Sequence, residues 1–491
     1  MDVVQSPTFW SVVPALVAIT LAFATRSVLP SLFMGIVASG VVLFIQSGDV
    51  HDLNVISKLL LPALGSSSYA KILLIYLWSL GGLIGLWEKT GAAVHFAEVV
   101  GGRIAKGPRS AMVYTWLLGC VFHQGGTVST VLAGTTARPV ADKHRISHEE
   151  LSYIVDSTAS PVATVIPLNG WPAYVAGLVV GVIPILPTDV DAVNFFFSSV
   201  PFNFYGLLAV FGTLLFALGW MPWIGGRMSA ARDRARSTGA LDGPGARPMM
   251  PSADELAAVN SRAAGYTPSL LDFGIPLGVL VGLAVVPLAL SKLGLIADGN
   301  WINEAFLCCV LSAMVVALAR GMRGEDVMEG FLSGCRSMTI GALILGLAVT
   351  MGEAAKLLQT SAYLVGLFGD ALPAVALPAV LTLLCMGISF ATGTSFGTYA
   401  VVFPVALPLA WALLPDPLYL KVCFGAVIGG AVYGDQCSPV SDTTILSSMF
   451  SGCDLMDHTR TQLPLATVFA LIGIVLSTVA AAVAIAAAAP A

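Results

Sequence analysis

Apolar runs recur along the whole chain, near residues 9–25, 28–46, 70–87, 110–124, 149–187, 201–222, 270–292, 302–320, 338–352, 373–390, 398–415, 419–433 and 465–488. Many approach twenty residues, the length a helix needs to cross a bilayer. The pattern therefore predicts an all-α polytopic membrane protein. Several runs are too long or too interrupted for one straight helix, and the interruptions are polar. The densest is 434–448, GDQCSPVSDTTILSS, which gathers two aspartates and six hydroxyl side chains directly after the apolar VCFGAVIGGAV of 422–432.

Composition agrees with the pattern. Of 491 residues, 57% are hydrophobic and 10% charged, where a soluble protein carries about a quarter charged. The mean hydropathy is +0.87. The net charge of −5 says little, because orientation in a membrane follows Lys and Arg in the loops. Eight cysteines form no CxxC pair and mostly sit in apolar segments, so they read as small buried hydrophobes. No cleavable signal peptide is predicted, since residues 1–8 lack a basic residue and 9–25 has no small-residue cleavage motif.

Between 223 and 268 the texture turns polar, with six of the 23 Lys and Arg residues and scattered Gly and Pro. It reads as a flexible cytoplasmic linker between a first repeat, 1–222, and a second, 269–491. Three short matches support duplication. Thr90-Gly91-Ala92 pairs with Thr360-Ser361-Ala362, Gly125-Gly126-Thr127 with Gly393-Thr394-Ser395, and Ser160-Pro161-Val162 with Ser438-Pro439-Val440. Loop charges invert the repeats. Arg103, Lys106 and Arg109 follow the third segment of the first half, whereas Arg320, Arg323 and Arg336 follow the second segment of the other.

That topology constrains the middle of each half. Residues 110–137 must enter and return, with arms too short for a hydrocarbon core of about 30 Å. They predict a re-entrant hairpin tipped by FHQGGT at 122–127. The segment 149–187 predicts a broken helix, and 373–417 the matching hairpin of the second half.

Four polar clusters then fall at hairpin tips or helix breaks: 122–127, DSTASP at 156–161, ATGTSFGT at 391–398, and GDQCSPVSDTT at 434–444. A broken helix frees backbone groups at membrane depth, tolerated where they line a cavity or bind something. Hydroxyls, carboxylates and bare carbonyls together suit a hard cation. Asp156, Asp435 and Asp442 are costly in lipid and read as functional; the alternative for the last two is a role as helix caps. Glu353 and Lys356 read as an interfacial pair. Gly393-Thr394-Ser395-Phe396-Gly397 satisfies GxSxG without the strand–turn–helix context of a nucleophile, and no GxxxxGK[ST] loop is present. Enzyme and ATP-driven pump are both disfavoured.

At these residues the chain resembles the NhaC-type sodium/proton antiporter family, through GDQCSPVSDTTILSS, TGTSFGT before it, and YIVDSTASPVATVIPLNGW in the first half. The resemblance implies two inverted-topology repeats, a scaffold and a mobile transport domain, an elevator-like motion, a homodimer, and residence in the bacterial inner membrane. It implies Na+ as coupling ion, with no organic cofactor and no nucleic-acid partner. Onto matching positions it places Asp156, Ser160, Thr394, Ser395, Asp435, Ser438, Asp442 and Thr443 as candidate cation-site residues, Asp435 and Asp442 being the sodium carboxylates. The chain departs from the family at the first hairpin, where His123-Gln124 stands in place of carboxylates. His123, Gln124 and Thr127 there, with Asn169 at NGWP, are candidate substrate contacts. Two functions follow as expectations: Na+/H+ exchange, or Na+-coupled carriage of a small organic anion or amino acid.

Overall fold

The computed structural model describes residues 8–25, 28–66, 69–70, 72–123, 126–166, 168–248, 262–293, 295–296, 301–360, 362–363 and 372–488. Among these the secondary structure is helical, with short 3₁₀ and π turns and no strand. The first half begins with α1 (Val13–Thr25), α2 (Val28–Ser47), α3 (Trp78–Thr90) and α4 (Ala92–Ile104). It continues through α5 (Pro108–Val121), α6 (Gly126–Lys143), α7 (His148–Ser157), α8 (Ser160–Val165), α9 (Trp171–Val179), α10 (Asp189–Ser199) and α11 (Phe204–Leu218). A polar helix, α12 (Gly226–Thr238), follows. The second half runs α13 (Leu270–Lys292), α14 (Ile302–Ala319), α15 (Gly324–Ser337), α16 (Thr339–Leu357), α17 (Leu377–Thr392), α18 (Ser395–Leu413), α19 (Pro417–Cys437), α20 (Asp442–Ser451) and α21 (Leu455–Ala488).

Five described helical segments are long and apolar enough to cross a membrane, and α10 and α11 make a sixth if counted as one span bent by 55°. Asn203 sets that bend, because its side chain accepts from Gly206 N and caps α11.

The same parts occur in the same order in each half: a helical hairpin, a broken helix, a closing helix. The hairpins are α5–α6 and α17–α18. At 14 residues, α5 reaches only about 21 Å, short of a bilayer core, as the sequence predicts. The broken helices are α7–α8, continued by α9, and α19–α20. Each break has a local cause. Pro161 at the start of α8 cannot donate back to the preceding turn. Gly393, at φ 68°, ends α17 in the left-handed region that glycine adopts without strain. A Cβ there would meet Val440 O at 2.6 Å, so the tip of the second hairpin sits on the break of the second broken helix.

Two packing groups result. In one, α1 lies on α2, α2 on α16, α13 on α14, and α3 on both α14 and α15. In the other, α19 is wrapped by α17, α18 and α21, while α20 packs on α6 and α7. They meet where α16 touches α18 and α9, where α1 touches α17, and where α4 touches α6. A cavity of about 340 Å³ opens at this seam, with Lys58, Tyr69, Gly177, Glu353 and Lys356 in its lining. Lys356 and Glu353 pair at 2.8 Å, as their spacing suggests.

The stretch 223–268, expected as a flexible linker, contains a helix among its described residues, and 249–261 lie outside them. In α12, Arg232 pairs with Glu150 at 2.5 Å and Arg234 with Glu149 at 2.8 Å, which fixes that helix to the start of α7. All eight cysteines are free thiols.

Candidate cation site at the paired helix breaks

Asp435 lies in the last turn of α19 and is buried. Its Oδ2 accepts from Ser395 Oγ at 2.6 Å and from Ser160 Oγ at 3.0 Å. Its Oδ1 accepts from Ser441 Oγ at 2.7 Å. Ser441 Oγ in turn lies 3.1 Å from Thr443 Oγ1. Ser160 and Ser395 are the first residues of α8 and α18, and Ser441 is the N-cap of α20. Three helix starts therefore meet one carboxylate. The start of α6 comes close as well, for a Cβ on Gly126 would lie 3.0 Å from Thr443 Cγ2 and 3.3 Å from Ser160 Oγ.

Helix starts carry unpaired N–H groups and partial positive charge, which favour the aspartate anion. A serine that donates to a carboxylate still has lone pairs to offer, so the cluster can accept a cation without rebuilding. Among the described residues no three His, Cys, Asp or Glu side chains gather as a metal site. The Asp435 cluster is instead one carboxylate with hydroxyls, a hard all-oxygen set that suits a group I or II cation better than a transition metal.

The other expected cation residues take different positions. Ser438, buried, donates to Phe390 O at 2.7 Å and ties the end of α19 to α17. Thr394 caps α18 by accepting from Gly397 N. Asp442 is exposed and accepts from Thr443 N at 2.8 Å. Thr444, not singled out by sequence, donates to the carbonyls of Asp435 and Gln436 and pins the break.

Asp156 is wholly buried in a second network. Its Oδ2 accepts from His458 Nε2 at 3.0 Å and from Gln462 Nε2 at 2.9 Å. Gln462 also donates to Gln436 O at 2.6 Å, and Gln436 Nε2 donates to Ser157 Oγ at 2.8 Å. Tyr205 OH closes the network on Gln436 Oε1 at 2.6 Å. Sequence reasoning missed His458, Gln462, Gln436 and Ser441. Ser441 and Gln436 were visible inside the polar run. His458 and Gln462 lie four apart, on one helical face, in a stretch, DHTRTQ, that reads as a solvated helix start.

The candidate substrate contacts divide. His123 is buried; its Nδ1 lies 3.0 Å from Cys120 O, and its Nε2 has no hydrogen-bond partner among the described residues. Gln124 and the side chain of Thr127 lie outside what the structure describes. Asn169 is committed to backbone. Its Nδ2 donates to the carbonyls of His123, Ala163 and Ile166, and its Oδ1 accepts from Trp171 N. It staples the gap between α8 and α9 to the first hairpin tip. Beyond it Trp171 stacks on Phe396 with centroids 3.9 Å apart, and Tyr174 OH donates to Phe396 O at 2.8 Å.

Residues 162–482 match the model of the Na+/H+ antiporter family. An uncharacterized protein of Haemophilus influenzae is 30% identical over 488 residues, spanning 95% of this chain and 89% of that one. The Na+/H+ antiporter NhaC of Alkalihalophilus pseudofirmus is 43% identical over 83 residues, 17% of each chain. Among solved structures, the YdaH transporter of Alcanivorax borkumensis superposes with a TM-score of 0.51 at 14% identity, covering 88% of this chain and 89% of that one. At that identity the likeness speaks for the fold alone. The chain is a multi-pass secondary transporter of the plasma membrane, and it belongs to the Na+/H+ antiporter family.

Proposed function

We propose that the protein exchanges Na+ for H+, with Asp435 at the centre of the exchanged site. The observation that carries this reading is one buried carboxylate with three serine hydroxyls within 3.0 Å of its oxygens, supplied by both halves of the chain. A bare carboxylate crosses a bilayer poorly. Na+ held by Asp435, Ser160, Ser395 and Ser441, with Asp442 and Thr443 at the entrance, reduces that charge. A proton on Asp435 does the same. Competition for one set of oxygens then couples the two flows, because the loaded forms cross and the empty anion does not.

The repeats are inverted, and the group built on α5–α11 and α17–α21 moves as a transport domain against a scaffold of α1–α4 and α13–α16. The seam between α16 and the pair α9 and α18 is the sliding surface of an elevator-like motion, and the scaffold supplies the contact of a homodimer. The test uses purified protein in liposomes with a lumenal pH dye and an imposed Na+ gradient. Proton movement is expected from the wild type and is lost in Asp435→Asn. Retention in that variant would remove Asp435 from the mechanism.

One observation favours Na+-coupled carriage of a small organic anion as the second reading. Helix starts that converge at mid-membrane suit a substrate carboxylate, and since His123 Nδ1 already donates to Cys120 O, its buried Nε2, without a partner among the described residues, would donate to one only from the imidazolium form. Under that reading the Na+ gradient alone moves no protons, and Na+-dependent uptake of a carboxylate falls in His123→Ala.

A further inference from the structure

Exchange at Asp435 needs a route from the membrane surface to a carboxylate enclosed by helix starts. One junction in the same packing group holds buried polar side chains that the site itself does not use. Ser129 of α6, Ser152 of α7, and Ser447 and Ser451 of α20 are each fully buried, and none has a hydrogen-bond partner among the described residues. Other buried hydroxyls on the helices donate to the carbonyl four residues back, as those of Ser39, Thr115, Thr213, Thr350 and Ser477 do. These four do not.

The four serines lie on three helices that meet. α20 packs on both α6 and α7, and α6 packs on α7. α6 and α20 run side by side in the same direction, since a Cβ on Gly126 would lie 3.0 Å from Thr443 Cγ2 and one on Gly134 2.9 Å from Phe450 Cβ. Thr443, Ser447 and Phe450, spaced by four and three, share the face of α20 turned to α6. Ser451 stands one turn beyond Ser447, about 6 Å along the axis, and Ser129 one turn beyond Gly126.

One end of this seam is the Asp435 cluster, reached through Thr443 and Ser441. The other end is where α6 and α20 finish, with Arg138 packed over Gly452 and Lys143 in the last turn of α6. Basic residues mark that side as cytoplasmic. Arg138 is itself paired with Asp142 at 4.0 Å. Asp454 and Asp457 flank the start of α21 there, and a Cβ on Gly243 would lie 3.0 Å from Asp457 Oδ2 and 3.8 Å from Glu149 Oε1. Such carboxylates raise the local concentration of cations.

A hydroxyl without a partner is costly in a dry interior. Water or a hard cation offsets that cost, because a serine oxygen can ligate either. We propose that the junction of α6, α7 and α20 is the path by which a monovalent cation passes between the cytoplasm and Asp435, with the hydroxyls of Ser129, Ser152, Ser447 and Ser451 standing in for part of its water shell. It rests on the exchange reading above, which makes Asp435 the destination. Phe450, seated on Gly134 between Ser447 and Ser451, closes the path in this conformation and is its gate.

The test is side-specific labelling of the full chain in sealed membrane vesicles of known orientation, with a cationic, membrane-impermeant thiosulfonate. Label at the introduced cysteine is counted by peptide mass spectrometry, which separates it from the eight native thiols. Ser447→Cys is expected to react from the cytoplasmic face alone, several-fold more slowly in Na+ than in choline. Adding Phe450→Ala is expected to speed that reaction several-fold, and an unchanged rate overturns the gate. Val427→Cys, fully buried in α19, gives the rate of a dry core. Reaction of Ser447→Cys no faster than that, from the opposite face, or indifferent to Na+ overturns the path. Ser447→Ala is an independent check. It is expected to slow exchange several-fold with no gain in heat stability. A hydroxyl stranded in a dry core is relieved by alanine, so a higher unfolding temperature with wild-type exchange also overturns the path. Labelling needs no exchange, so the path and the exchange reading fail by separate measurements.

Discussion

A single oxygen carries much of the site's information. Ser395 Oγ and Ser160 Oγ both donate to Asp435 Oδ2, one from each half. A hydrogen bond to a charged group contributes about 1.5–3 kcal/mol. Ser395→Ala is therefore expected to weaken Na+ activation by about tenfold or more while leaving the protein folded, read as the Na+ concentration for half-maximal exchange. Asn169→Asp should do worse for folding than for transport chemistry, because it replaces the amide donor that holds three carbonyls with acceptors alone. Its thermal unfolding in detergent is expected to fall below that of the wild type. Asp435, Ser160 and Ser395 were legible in the sequence because polar residues in a lipid-length apolar run are conspicuous. His458 was not, because at the start of a helix a histidine among charged neighbours looks solvated, and only tertiary packing buries it.

Among elements, the broken helices and hairpins could be read from proline, glycine and arm length. The attachment of α12 could not, since its alternation of arginine and alanine looks like a free linker until Glu149 and Glu150 are seen to receive it. His148, at the loop-facing first turn of α7 and outside the spans, strengthens this latch. It meets Asp242 at 2.7 Å and Asp142 at 3.0 Å. Burial opposes its charge, but hydrogen bonds to the two carboxylates outweigh that and hold its pKa above the ordinary histidine value. A raised pKa contributes stability that is complete below the unfolded value and is lost as pH rises through the folded one. Protection factors of the amides across 226–242, which divide out the intrinsic pH dependence of exchange, are therefore expected to fall from mildly acidic to alkaline pH, and His148→Gln to remove that fall.

Across the whole molecule the two halves are one interlocked body. Ser160 bonds Asp435, Asp156 bonds His458, and Thr360 Oγ1 donates to Ser11 O at 2.7 Å. Fragments cut within 249–261 are expected to aggregate when expressed singly and to give one monodisperse species when expressed together, as size-exclusion chromatography would report. This interleaving was not visible in the sequence, because short matches at a fixed offset suggest that parts recur and say nothing about which part touches which.

The crossing of α3 and α15 was equally hidden. Gly81 and Gly85 of one helix lie against Gly330 and Gly334 of the other, backbone to backbone, the close approach that small residues four apart permit within membranes. Gly334→Leu has no room and should cost on the order of 1–3 kcal/mol or more. The crossing also has a consequence in time. A chain emerges from the ribosome N-terminal end first, so the glycine face of α3 must wait in the membrane until residue 334 has been made. During that interval almost the entire first half is inserted without its closing contact. The early chain is then the stage most exposed to quality control, and slowed synthesis between the halves should lower yield more than slowed synthesis after α15.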